Sequence, residues 1–284
     1  MSGSPSVEAA WRSHRPYLVN LAYQMLGDIG EAEDIAQESF LRLARTDPSQ
    51  IDDVRAWLTV VAGRLCLDQV RSARARHERP DESDALDVAR SPAPDPADRV
   101  TLDDEVRTAL LEVLRRLSPG ERVAFVLHDV FQVPFDEIAD TVGRPIGTCR
   151  QLARRARAKI ANASPRLSDV TDIEHQAVTE KFITACANGD LQALTAVLDP
   201  SVWGAATFLG HPAPSPQINR GRDLVARNLL HFLSRGTLVT GPVGEPAVFA
   251  FANRRLVAVL ALTVRDNLIV KIDATVDPSA VRRA

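Results

Sequence analysis

The chain has 284 residues, a formal net charge of −3, 45% apolar and 25% charged residues, the balance of an ordinary folded protein with length for one large domain or two smaller ones. Its longest apolar stretch, Leu256 to Val264, is too short to cross a bilayer, and Met1-Ser-Gly-Ser-Pro5 lacks the basic and apolar segments of a secretory signal, so a cytoplasmic location without membrane contact is expected. Cys66, Cys149 and Cys186 are odd in number and far apart, which excludes a disulfide framework and any strong zinc motif; neither a metal nor a cofactor is expected.

In chain order, the first 79 residues read as helical. Leu18, Ala22 and Met25 keep a helical spacing, as do Ala32, Ile35, Ala36, Phe40 and Leu43, then Leu58, Val61 and Leu65. Breaks fall at Gly27-Asp-Ile-Gly30 and at Thr46-Asp-Pro-Ser-Gln50. Residues 80–100 carry Pro92, Pro94 and Pro96 and almost no large apolar side chain, the composition of a flexible linker. Four more helical segments follow over 101–162. One starts at Ser118-Pro119-Gly-Glu121, which supplies a cap, a proline at the first helical position and an acid in the first turn. Phe135 to Thr141 is a short helix, Gly143 breaks it, and a helix resumes from Ile146 to Ile160. From residue 173 to 284 the texture changes. Helices over 174–187, 191–198 and 222–233 precede β-type runs at 236–240, 247–252, 256–264 and 268–276, with Arg265-Asp-Asn267 as a hairpin connection. Helices followed by an antiparallel sheet indicate an α+β domain. The fold class expected is therefore multidomain, with two all-α helical domains and a C-terminal α+β domain.

The near-neutral charge hides segregation. From Asp28 to Glu38 there are five acids and no base, and from Arg144 to Lys159 six bases and no acid. On a helical wheel the second block divides cleanly. Cys149, Leu152, Ala153, Ala156 and Ile160 share one arc, and Thr148, Arg150, Gln151, Arg154, Arg155, Arg157 and Lys159 fill the rest. Together with the preceding short helix and its Gly143 turn, this is helix-turn-helix spacing. Arginine and glutamine can read guanine and adenine edges, while arginine and lysine neutralise phosphates. A solvated face normally alternates sign, so an acid-free face favours DNA. In the acidic block, Asp34, Gln37, Glu38 and Leu41 lie opposite the apolar arc, a face suited to a basic protein; Glu31 and Glu33 are explained by the helix dipole alone. Along the third helix Arg55, Arg64, Arg71, Arg74 and Arg76 form a basic track that could follow a nucleic-acid backbone, whereas Trp57, with Val60 and Val61, reads as core.

These residues resemble extracytoplasmic-function sigma factors. Glu31-Ala-Glu-Asp-Ile-Ala-Gln-Glu-Ser-Phe-Leu-Arg42 is similar to the polymerase-binding helix of sigma region 2. Arg55-Ala-Trp-Leu58 and Arg64-Leu-Cys-Leu-Asp-Gln-Val-Arg71 are similar to the next helix of that region, which engages the −10 element. Leu117 to His128 and Phe135-Asp-Glu-Ile-Ala139 resemble region 4, whose Cys149-Arg-Gln-Leu-Ala-Arg-Arg-Ala-Arg157 helix reads the −35 element. Residues from Ile173 onward look like the SnoaL-like (cystatin-like) domain carried by one actinobacterial subgroup. The resemblance implies binding to RNA polymerase core, with Asp34, Gln37, Glu38 and Leu41 on its β′ clamp helices and the β flap as a further contact. It implies promoter contacts by Arg64 and Arg71 at −10 and by Thr148, Arg150, Gln151, Arg154, Arg155, Arg157 and Lys159 at −35, a modulating role for the tail, and an anti-sigma factor as a further partner. Three places depart from the family pattern: Ala62-Gly63-Arg64 stands where Ala-Arg-Asn is frequent, and 208–213 and 277–281 replace two motifs of related tails.

Two other classes compete. SnoaL-like folds include enzymes that act through a pocket carboxylate, for which Asp273, Asp266, His211 and His231 are the candidates, and the same cone could sense a small molecule. An ordinary helix-turn-helix repressor is the third class; the acidic helix and the linker speak against it. No catalytic residue is expected.

Overall fold

The computed structural model describes residues 7–78, 114–163, 173–209, 215–234, 236–241 and 247–277. The linker at 80–100, the first helix expected after it, His211 and most of both tail departures lie outside them.

Three helices form the first domain: α1 (Val7–Leu26), α2 (Ile29–Arg45) and α3 (Val54–Glu78). Gly27 and Asp28 make the first break in two residues. Gly27 takes a φ of 75°, which stops α1, and the Asp28 carboxylate accepts the Glu31 amide at 3.0 Å, which caps α2. Leu18, Leu21, Ala22 and Met25 from α1 pack with Ala32, Ala36 and Phe40 from α2 and Leu58, Ala62 and Cys66 from α3. Trp57 sits partly buried against this core.

The second domain begins, among the described residues, at Leu114. Ser118 and Glu121 form a reciprocal capping box at the start of α4 (Pro119–Phe125), which runs into a π-helical turn over Val126–Val130. Gln132, in the left-handed region at φ 54°, turns the chain into α5 (Phe135–Val142). Gly143, at φ 68°, closes α5 with its N–H on the Ala139 carbonyl, and α6 (Ile146–Ala163) follows. The apolar arc expected for α6 is the buried one, with Cys149, Ala153, Ala156 and Ile160 in the core.

The C-terminal domain contains α7 (Ile173–Asn188), α8 (Leu191–Val197), β1 (Leu198–Phe208), β2 (Gln217–Arg220), α9 (Arg222–Leu233), β3 (Thr237–Thr240), β4 (Ala247–Ala252), β5 (Arg255–Arg265) and β6 (Leu268–Val276). The sheet is open, in the order β2-β1-β6-β5-β4-β3, with the tail's own helices packed on one face, an α+β arrangement. Two features differ from the sequence reading. β1 and β2 extend the expected four strands to six, and β1 pairs with β6 in parallel, so the sheet is mixed. β1 escapes pattern reading because Asp199-Pro-Ser201 and Gly204-Ala-Ala206 interrupt any apolar alternation. Asp266-Asn267 is a two-residue turn with both φ positive, and Asn253-Arg254 is a second one between β4 and β5.

The two sheet faces have separate destinations. Val248, Ala250, Leu260, Leu262 and Ile272 face Phe182, Leu194 and Val225 of the tail's own helices. Val239, Phe249, Phe251 and Leu256 instead join the core of the helical domains.

Candidate polymerase and DNA interfaces

On α6, Thr148, Arg150, Gln151, Arg154 and Arg155 are all exposed, and none has a side-chain hydrogen bond or ion pair among the described residues. The other two basic residues of this face are tied to their own domain. Arg157 Nε lies 3.1 Å from Asp129 of the π turn, and Lys159 Nζ lies 2.7 Å from the buried Glu121 carboxylate. Burial alone would raise the Glu121 pKa, but Lys159 and the Ser118 amide outweigh it and hold the carboxyl below its ordinary range. Asp129 goes the other way: burial raises its pKa, and Arg157 offsets only part of that. This face of α6 thus presents a neutral or cationic N-terminal half without ion pairs among the described residues and a C-terminal half anchored by acids.

The acidic face of α2 is divided. Gln37 is exposed, Leu41 is 44% exposed despite being apolar, and Glu38 is held by Arg42 one turn on at 2.9 Å. Asp34 lies at the N-terminal end and carries a partner from 220 residues away: Arg254 Nη2 donates to its carboxylate at 2.8 Å, with Arg254 Nε 3.5 Å from Glu33. Gly30 permits this approach, since a Cβ there would stand 3.0 Å from the Arg254 guanidinium. Arg64, expected at −10, donates to the Asp140 carbonyl of α5 at 3.0 Å, and Arg71 is exposed near Asp68 at 3.8 Å.

Residues 10–76 match the model for Sigma-70 region 2, and residues 107–160 match that for Sigma-70, region 4. The chain is 50% identical to the probable ECF RNA polymerase sigma factor SigI of Mycobacterium tuberculosis, over 99% of this chain and 97% of the relative. It is 35% identical to the ECF RNA polymerase sigma factor SigJ of the same species, over 89% and 86% of the two chains.

The chain belongs to the ECF RNA polymerase sigma factors.

A solved structure similar to it is that of Mycobacterium tuberculosis SigJ, with 30% identity, 97% of this chain and 98% of that chain covered, and a TM-score of 0.39. Binding polymerase core and directing initiation at promoters is the function of this sigma factor's family and of this chain. Among its described residues no helix is long and apolar enough to cross a membrane.

Regions 2 and 4 of the sigma factor are in direct contact. Arg122 of α4 donates to the Met25 carbonyl at the end of α1 at 3.0 Å and to Leu114 at 2.6 Å; burial lowers its pKa to about 10, so it stays charged at neutral pH. Gly63 of α3 faces Thr141 of α5, and a Cβ at 63 would fall 2.6 Å from the Thr141 methyl. This departure from the family pattern is therefore where region 4 sits on region 2.

The tail adds a polar seam. The buried Gln24 amide donates to the Thr240 and Gly241 carbonyls at 2.7 and 3.1 Å, Asn20 Oδ1 accepts the Thr240 amide at 2.9 Å, and Thr237 donates to Glu33 at 2.6 Å. Tyr23 meets Phe251 edge to face at 5.5 Å, and Arg55 joins Glu180 of α7 at 2.8 Å. Sequence reasoning missed Gln24, Asn20, Arg122 and Arg254. The first three look like ordinary helix residues, and only the Asn253-Arg254 turn left a local trace, a pair of turn residues between two β-type runs.

Among the described residues, none of the competing enzyme candidates is buried in the core of the tail. Asp273 is paired with Lys271 at 2.7 Å and is 46% exposed. It pairs across with exposed Ala261 on the face opposite Leu262 and Ile272. Asp266 occupies the hairpin turn, and His231 is exposed beside Phe232. A cleft of about 430 Å³ lined by Asp199, Trp203, Arg265 and Lys271 also opens on that outer face.

Proposed function

We propose that region 2 docks on RNA polymerase through Asp34, Gln37, Glu38 and Leu41, that Arg64 and Arg71 face the −10 element, and that Thr148, Arg150, Gln151, Arg154 and Arg155 of α6 enter the major groove at −35. Arg157 and Lys159, being anchored to Asp129 and Glu121, lie along the phosphates. The observation that carries this reading is the α6 face, whose exposed side chains from Thr148 to Arg155 make no side-chain hydrogen bond or ion pair among the described residues while its apolar arc is buried. The domains span 1–79, 101–162 and 173–284, joined by the linker at 80–100, and the protein works in the cytoplasm, where promoters are.

The conformation with regions 2 and 4 in contact must open to do this. The −10 and −35 elements stand roughly 80 Å apart at about 3.4 Å per base pair, whereas α3 and α5 touch. A 21-residue linker reaches about 70 Å when extended, which together with the domains' own width covers the distance. The tail serves as a non-catalytic modulator that grips α1 through β3 and β4 and competes for Asp34 through Arg254. An anti-sigma factor that sought the same edge of region 2 would have to displace it.

Run-off transcription with purified core polymerase and the full chain tests the proposal. Site-selective transcripts are expected from the wild type, and the charge reversals Asp34→Lys and Glu38→Lys should weaken assembly with core. Normal assembly of that variant would refute the docking face.

A further inference from the structure

The base-reading arginines of α6 are not equivalent. Arg154 and Arg155 have no partner among the described residues. Arg150 has no hydrogen bond either, yet its guanidinium lies over the Phe135 ring, 5.7 Å from the centroid, within the range of a cation–π contact. Phe135 has a second ring neighbour. His128 stacks on it with centroids 4.0 Å apart and planes 34° from parallel. The imidazole is fixed in turn, since its Nδ1 lies 3.3 Å from the Val133 carbonyl.

The backbone that builds this column is unusual. His128 belongs to the π-helical turn Val126–Val130, and Gln132 adopts the left-handed conformation that non-glycine residues seldom take. The Val133 amide closes back on the Leu127 carbonyl at 2.8 Å, and Pro134 then starts α5 so that Phe135 lands over His128. The next residue of the same π turn, Asp129, holds Arg157. Arg150 and Arg157 are seven residues apart, two turns along one face of α6. One turn of π helix therefore touches α6 directly at Arg157, through Asp129, and reaches Arg150 only through Phe135.

We infer that Phe135, packed against His128, is a positioning residue that holds the Arg150 guanidinium in a preset orientation toward a base edge, so that the contact sets the promoter preference at one −35 base pair. A stacked guanidinium leaves its N–H groups directed outward along a fixed plane. The long side chain then loses less freedom when it meets the two acceptors of a guanine. This rests on the reading of α6 as the −35 helix, and the test separates the two.

The experiment measures binding of the full chain to −35 duplexes randomised one base pair at a time, for Phe135→Leu, Phe135→Tyr, Arg150→Ala and the Phe135→Leu/Arg150→Ala pair. Arg150→Ala is expected to relax preference at one position by roughly five- to a hundredfold. Phe135→Leu should relax the same position by about three- to tenfold, add nothing in the Arg150→Ala background, and be rescued by Phe135→Tyr. Equal weakening on every duplex, or a Phe135→Leu effect that persists undiminished without Arg150, would overturn the inference and leave Phe135 as packing only. Unchanged preference in Arg150→Ala would instead overturn the reading of α6 itself. A readout on the unaltered protein guards against misfolded variants: the Arg150 Nε–H resonance should be shifted upfield by the Phe135 ring. A resonance at the position of a solvent-exposed arginine would contradict the stack.

Discussion

The two charged helices of this sigma factor meet opposite fates. The basic face of α6 is open over its N-terminal half, with Arg150, Gln151, Arg154 and Arg155 turned outward. The acidic face of α2 is contested at its N-terminal end, where the tail lays Arg254 across Asp34 while Gln37 and Leu41 stay exposed. The face of α6 proposed to meet DNA is thus open in the observed conformation, and the face of α2 proposed to meet polymerase carries Arg254 of the tail. The difference also shows where the energy of the tail contact lies. Arg254 and Asp34 are both more than half exposed, a pairing worth about 0–1 kcal/mol, whereas the seam at Gln24, Asn20 and Phe251 is buried and hydrogen-bonded.

The largest expected effect breaks the open side of the comparison. Arg150→Ala with Arg154→Ala should cost roughly 1–3 kcal/mol at each position read and abolish −35 discrimination in run-off assays, with binding to core polymerase retained. Next comes the contact between regions. Gly63→Arg forces a side chain into the space of Thr141, and overpacking of about 1–3 kcal/mol should separate region 4 from region 2. Small-angle scattering should then report a larger radius of gyration, and an unchanged radius would show that the contact yields without opening. Of similar size is Glu121→Gln, which removes a charge-assisted pair between a buried carboxylate and a half-exposed ammonium, worth at most about 1.5–3 kcal/mol.

The pH dependence sharpens that last point. The Glu121 carboxyl is held below its ordinary value, so its contribution is present above the unfolded carboxylate pKa and is lost as pH falls through the folded one. Asp129 has the opposite sign, because its raised pKa favours the folded state at lower pH, and that contribution fades as pH rises through the raised value. Acid titration of thermal stability should therefore show a loss that Glu121→Gln reduces and Asp129→Asn does not. The smallest effect belongs to Arg254→Ala, a gain of no more than a few-fold in polymerase affinity that shrinks with added salt.

Much of this was legible before any coordinates. Helix periodicity, the Ser118 cap and the Gly143 stop located the helical elements, because each depends on neighbours a few residues away. The division of α6 into buried and exposed arcs followed from helical geometry alone. β1 was not legible, because its partner β6 lies some seventy residues on and its own sequence is rich in small and turn-forming residues. Arg64 was read as a DNA contact from its motif, and nothing local announces that it bonds to Asp140 in this conformation. The Arg254–Asp34 pair is of the same kind: two surface charges whose relation exists only once the tail is folded against region 2.

The most direct test of the asymmetry compares two affinities of the full chain, for core polymerase and for a −35 duplex, before and after the seam is broken by Gln24→Leu together with Arg254→Glu. Release of the tail predicts tighter binding to polymerase with unaltered affinity for the duplex. If polymerase binding stays the same, or if both affinities shift together, the tail does not guard the acidic face.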